Sequence, residues 1–132
     1  MKVGVTGTRE GMTEKQFEEV VKFFETHHIS ELHHGDCAGV DAEVAEYATS
    51  LGIKTVCHPP ISDYLRVFHN STEFREKYGY LERDQHIVNE TELLLVIPKQ
   101  TTWQPNGGTW YTHDYAVKLE SKILVIWPSE DK

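Results

Sequence analysis

The sequence predicts an α/β fold, a doubly wound parallel sheet of about five strands in the order 3-2-1-4-5 with helices on both faces. Three observations point there. Apolar residues alternate along the chain between the strand period and the helix period. Glycine or proline marks most of the switches. One segment, Glu92 to Ile97, is almost wholly apolar, as a central strand buried on both faces must be.

Lys2 to Thr6 is a β-branched run that ends in Gly7-Thr8-Arg9 and forms the first strand. Thr13 then caps a helix with Glu14 in its first turn and Phe17, Val20, Val21 and Phe24 at helical spacing. Ser30 to His34 is the second strand, closed by Gly35, and Val40 to Leu51 is a helix stopped by Gly52. Ile53 to Cys57 is the third strand, broken by Pro59 and Pro60. Roughly thirty residues, Pro59 to Thr91, then precede the fourth strand, and structureless loops of that length are uncommon in compact domains. Helices are therefore expected at Tyr80 to Asn89 and around Ser62 to His69. Gly107 to Leu119 supplies the last helix and Lys122 to Trp127 the last strand. Strands alternating with helices imply right-handed crossovers in a parallel sheet.

Residues 1–132 fit one domain, so one site is sought. Thirteen basic against twenty-one acidic residues leave a net charge of −8, which disfavours a nucleic-acid backbone or an anionic membrane as partner. Cys37 and Cys57 are the only cysteines, without a signal peptide or a membrane-spanning apolar run, a pattern that fits ordinary thiols in a reduced, cytoplasmic setting. The pairs His27-His28 and His33-His34 invite a metal, but adjacent strand residues point to opposite faces and no further ligand sits at the usual spacing. No metal and no cofactor is expected. The stripe Phe17, Val20, Val21, Phe23 and Phe24 exceeds what one sheet face needs, so a homo-oligomer is expected.

In an open parallel sheet, ligands bind outside the carboxyl ends of the strands where strand order reverses. The unusual residues fall at those ends: Gly7-Thr8-Arg9, then Gly35-Asp36-Cys37-Ala38-Gly39-Val40-Asp41, then His58-Pro59-Pro60, and lastly Pro105-Asn106-Gly107-Gly108-Thr109-Trp110. Two are glycine-rich turns opening helices, where bare backbone N–H groups and the helix dipole meet an anion. Arginine suits phosphate because its planar fork binds bidentately. Of Arg9, Arg66, Arg75 and Arg83, Arg9 is the one assigned to the ligand. Arg75 suits pairing with Glu73 or Glu76, while Arg66 and Arg83 are open to either role. Trp110 could stack on a base or simply be buried, and His58 and His86 could touch the ligand or be structural. Asp41 is more cheaply explained as a first-turn residue favoured by the helix dipole than as a catalytic carboxyl.

Together Val3 to Arg9, Glu31 to Asp41, His58-Pro59-Pro60, and Gly108-Thr109-Trp110 with Thr112 and Ala116 resemble a YpsA-related SLOG protein over almost the whole chain. That superfamily also holds the Lonely Guy phosphoribohydrolases, the DNA-processing protein A fold and sensors of nucleotide-derived immune signals. The resemblance implies a Rossmann-like fold and a phosphate-bearing nucleotide derivative lying across the strand-end loops. It carries over Gly7, Thr8, Arg9, the Gly35 to Asp41 turn, Gly108 and Thr109 as ligand-contacting positions. Lonely Guy enzymes place a glutamate three residues after the Gly-Thr of their motif, and here that position is Thr112.

Three functions remain open. The first is a non-catalytic sensor or sponge for a signal such as a cyclic ADP-ribose isomer or a cyclic nucleotide, as a phage evading host defence would use. The second is a nucleotide N-glycosidase or phosphoribohydrolase using Asp36, Asp41 or Asp84. The third is a nucleic-acid or protein interaction module, against which the charge counts. The first is favoured because the expected glutamate and any effector segment are missing.

Overall fold

The computed structural model describes residues 1–129. Strands and helices alternate as β1 (Lys2–Gly7), α1 (Glu14–Thr26), β2 (Glu31–His34), α2 (Val40–Ser50), β3 (Lys54–Cys57), β4 (Glu73–Phe74), α3 (Tyr80–Asn89), β5 (Leu93–Ile97), α4 (Gly108–Lys118) and β6 (Lys122–Val125). All pair in parallel in one sheet ordered β4-β3-β2-β1-β5-β6. The expected five-strand order is preserved, with one strand added at the outer edge. β4 has only two residues, too few to print an alternating pattern on the sequence.

The sheet is doubly wound. Val3, Val5, Leu32, Leu95 and Ile97 pack with Val20, Phe23 and Phe24 of α1 and Val40, Val44 and Ala48 of α2 on one face. Leu94 and Val96 pack with Ile87 and Val88 of α3 and Trp110 and Ala116 of α4 on the other. Thus most of the α1 stripe expected to serve an oligomer is core, although Phe17 remains 39% exposed. Among the described residues no helix is long and apolar enough to cross a membrane.

Thr13 caps α1 as expected, in a reciprocal box: its hydroxyl accepts from Gln16 N at 3.1 Å, and Gln16 Oε1 accepts from Thr13 N at 3.0 Å. The buried Gln16 amide then donates to the carbonyls of Pro98 and Ile126, tying α1 to the ends of β5 and β6.

The helix expected around Ser62 to His69 is absent. The donors it would need are spent on Asp36, whose carboxylate accepts from Phe68 N at 3.2 Å, His69 N at 2.8 Å and Arg66 Nε at 2.8 Å. Val67 N donates to the Asp36 carbonyl at 3.1 Å. Leu65 and Phe68 take positive φ, which no α-helix tolerates, and the segment wraps round a buried anion instead. The helix expected at Tyr80 to Asn89 is present with those bounds.

Candidate functional site

β1 and β5 are neighbours, and the chain leaves them toward opposite faces of the sheet, so their carboxyl ends frame a crevice. A cleft of about 480 Å³ opens there, between the Gly7-Thr8-Arg9 loop, the start of α2, the first turns of α3 and the Gly107-Gly108-Thr109 turn.

One wall is electropositive. Arg9 is exposed, and among the described residues it has no carboxylate partner. The other three arginines are engaged: Arg66 with Asp36 at 2.8 Å, Arg75 with Glu90 at 2.9 Å and Arg83 with Asp84 at 2.6 Å. Across the turn, the first intrahelical bond of α4 runs from Tyr111 N to Gly107 O at 3.0 Å. The amides of Gly108, Thr109 and Trp110 are therefore the orphan donors of the helix N-terminus. Gly108 and Thr109 line the same cleft as Arg9. A carbon added at Gly107 or Gly108 would meet nothing within 4 Å, so this approach is open to a ligand.

The floor is built of paired charges. Arg83, 5% exposed, donates through Nε to Asp84, and through Nη1 to the carbonyls of Gly35 at 2.5 Å and His58 at 3.2 Å. Asp41 accepts from Gly35 N at 2.9 Å and from the Cys37 amide. Burial pushes the Asp41 carboxyl up to about 7, against the opposing pull of the Arg83 charge. Burial also raises the Asp84 carboxyl, with Arg83 again opposing. The Thr112 hydroxyl lies against Asp84 and donates to Gly108 O at 2.8 Å. α3 thus brings a carboxyl beside the position where the glutamate was expected and missing. Cys37 and Cys57 are free thiols, both raised by burial and so protonated at neutral pH; Cys57 is pushed up to about 12.

The expected site residues divide into two groups. Gly7, Thr8, Arg9, Cys37, Asp41, Arg83, Gly107, Gly108 and Thr109 line the cleft. Gly35, Asp36, Ala38, Gly39, His58, Pro59 and Trp110 do not. The second turn is a brace rather than an open anion nest. Its amides at Gly35, Asp36, Ala38 and Val40 donate to Asp41, His34, Leu65 and Thr8. Gly39 has φ +90°, and a carbon added there would stand 2.4 Å from the Arg9 backbone. It is glycine so that α2 can pass under the β1 loop. Asp36 pins residues 66–69, which removes it as an acid for the cleft. His58 is buried against His33. Trp110 is 3% exposed, its indole packed near Trp127 with Nε1 donating to Gln100 at 3.1 Å. No face is left to stack on a base, and only its backbone amide reaches the turn.

Sequence reasoning missed Tyr80 and Leu81, which line the cleft from the start of α3. They follow a long connection rather than a strand end, and the one local signal was Gly79, the N-cap of that helix.

No protein-family profile and no curated protein matches the chain. Among solved structures, the X-ray structure of TM1055, a Northeast Structural Genomics Consortium target, is similar with a TM-score of 0.64. The likeness covers 92% of this chain and 71% of that one at 14% identity, which is a likeness of fold.

Proposed function

We propose that this chain binds a phosphate-bearing, nucleotide-derived small molecule in the cleft between β1 and β5 and holds it uncleaved, as a sensor or sequestering sponge. The reading rests on one observation above all: Arg9, which among the described residues has no carboxylate partner, lines the same cleft as the unspent amides of the α4 N-terminus. A paired arginine has its charge offset by its carboxylate, and a helix start alone would be only a turn. Together they suit a phosphate. Tyr80 and the half-exposed Leu81 give a partly apolar wall for a base or ribose. A cyclic ADP-ribose isomer or a cyclic nucleotide has the required chemistry, in line with the resemblance to SLOG sensors.

A second reading has its own support, because Asp41 and Asp84 keep raised carboxyls at the cleft floor. Such groups are suited to protonate a leaving base, as an N-glycosidase requires. The two readings separate on Asp84→Asn. If the chain only holds its ligand, no base or ribose phosphate is released by the wild type and the variant changes affinity alone. If it cleaves, the wild type turns over and the variant retains intact ligand.

A further inference from the structure

His33 and His34 leave β2 on opposite faces, and His33 meets a set of donors that the sequence did not bring together. On the α3 side its Nδ1 stands 2.8 Å from His58 Nε2, both rings being buried. A Glu90 carboxylate oxygen, at the C-cap of α3, lies 4.0 Å from the same Nδ1. One ligand atom from each of the three lies within 4.8 Å of the others. At the far edge of the His33 ring, Nε2 meets Glu31 Oε1 at 2.9 Å.

That last contact fixes the chemistry. A neutral imidazole carries one N–H, and a carboxylate neighbour can only accept, so the His33 proton sits on Nε2 and the lone pair on Nδ1 faces His58 and Glu90. A carboxylate behind a histidine is the arrangement that orients metal-ligating imidazoles. We propose that His33, His58 and Glu90 form a binding site for a divalent transition-metal ion, zinc foremost, with Glu31 as the positioning residue behind His33.

Two imidazoles and one carboxylate are a donor set that zinc accepts, with a fourth position left for water. Nitrogens bound at about 2.0–2.1 Å in a tetrahedral site stand about 3.3 Å apart, so the two rings part by about 0.5 Å on binding. Glu90 closes in by rotation of its partly exposed side chain. Ligation through His58 Nε2 moves that ring's proton to Nδ1, so the neutral pair keeps its protons. Arg75 holds that same Glu90 Oε1, through Nε at 3.0 Å and Nη2 at 2.9 Å, so the rotation that closes the site must bring Oε2 to the ion. The Arg75 charge opposes a cation, and Glu31 and Glu73 offset it. Such a site would join β2, the segment after β3 and the end of α3. It would also abut the cleft floor, because the His58 carbonyl accepts from Arg83. It does not depend on the nucleotide reading.

The test is titration of the full chain, first stripped with a chelator, with Zn2+ by calorimetry and with Co2+ by visible absorption. One ion per chain is expected, with the intense Co2+ bands of a tetrahedral site. His58→Gln should abolish both, and Glu90→Gln and Glu31→Gln should each weaken binding about 10–100-fold. Circular dichroism monitors folding; if His58→Gln fails to fold, the two carboxylate variants, on partly exposed side chains, carry the test. No binding by the wild type, or equal binding by wild type, Glu90→Gln and Glu31→Gln, overturns the proposal, the latter result placing the ion elsewhere.

Discussion

Arg83 Nη1 donates to the carbonyl of Gly35 at 2.5 Å, and a carbon added to Gly35 would stand 2.5 Å from that same nitrogen. The contact joins the end of β2 to α3 across the cleft floor, and it exists because Gly35 has no side chain. Gly35→Ala must therefore move a guanidinium that is buried and bonded through both Nε and Nη1. The expected cost is about 1–3 kcal/mol, as for other overpacked sites, read as a lowered midpoint in chemical denaturation. An unchanged midpoint would mean that Arg83 is more mobile than its bonds suggest.

Arg9→Ala tests the electropositive wall. The side chain is exposed and unpaired among the described residues, so stability should stay within about 0.5 kcal/mol of wild type. Ligand affinity should fall about 10–100-fold, the worth of a charged hydrogen bond to phosphate. Calorimetry with the ligand and thermal melts of the same sample read the two effects separately.

Asp41 gives the stability of the protein a pH dependence of known sign. Its carboxyl is raised to about 7 in the fold, against an ordinary value near 3.8, so the folded state binds more protons than the unfolded one between those limits. The contribution is fully present below the unfolded value and is lost as pH rises through about 7. Asp41→Asn removes it. Melting temperatures of wild type and variant, compared at pH 5 and pH 8, should shift in favour of the variant at the higher pH; a constant difference would place the Asp41 carboxyl in its ordinary range.

Trp110→Phe separates packing from recognition. The indole is core and donates to Gln100, so the substitution should cost about 1–3 kcal/mol while leaving the affinity of the folded protein unchanged. A loss of affinity without a loss of stability would restore the stacking role first expected of this ring.

Much of this was legible in the sequence because a parallel α/β sheet turns chain order into position. Once the strands ending at Gly7 and Ile97 were read, the loops after them had to meet at one edge, and they do. Arg9 stood out by the same logic. What could not be read depends on side chains paired across long stretches of chain. Asp36 binds residues 66–69, about thirty positions away, and this suppresses an expected helix while withdrawing a candidate acid. Asp41 and Arg83 were each placed near the ligand, but their shared floor with Asp84 appears only when α3 docks. His33 meets His58 because β2 and β3 pair in register, a contact no local spacing announces.

The most direct measurement is a mass balance. The wild-type chain is incubated with adenine nucleotides, ADP-ribose, cyclic ADP-ribose isomers and cyclic dinucleotides, freed of unbound ligand, denatured, and the released material separated by chromatography. One intact nucleotide derivative is expected in stoichiometric amount, and its loss in Arg9→Ala. A free base with ribose phosphate would mean that the cleft cleaves rather than holds, and nothing retained from any of these ligands would contradict nucleotide binding itself.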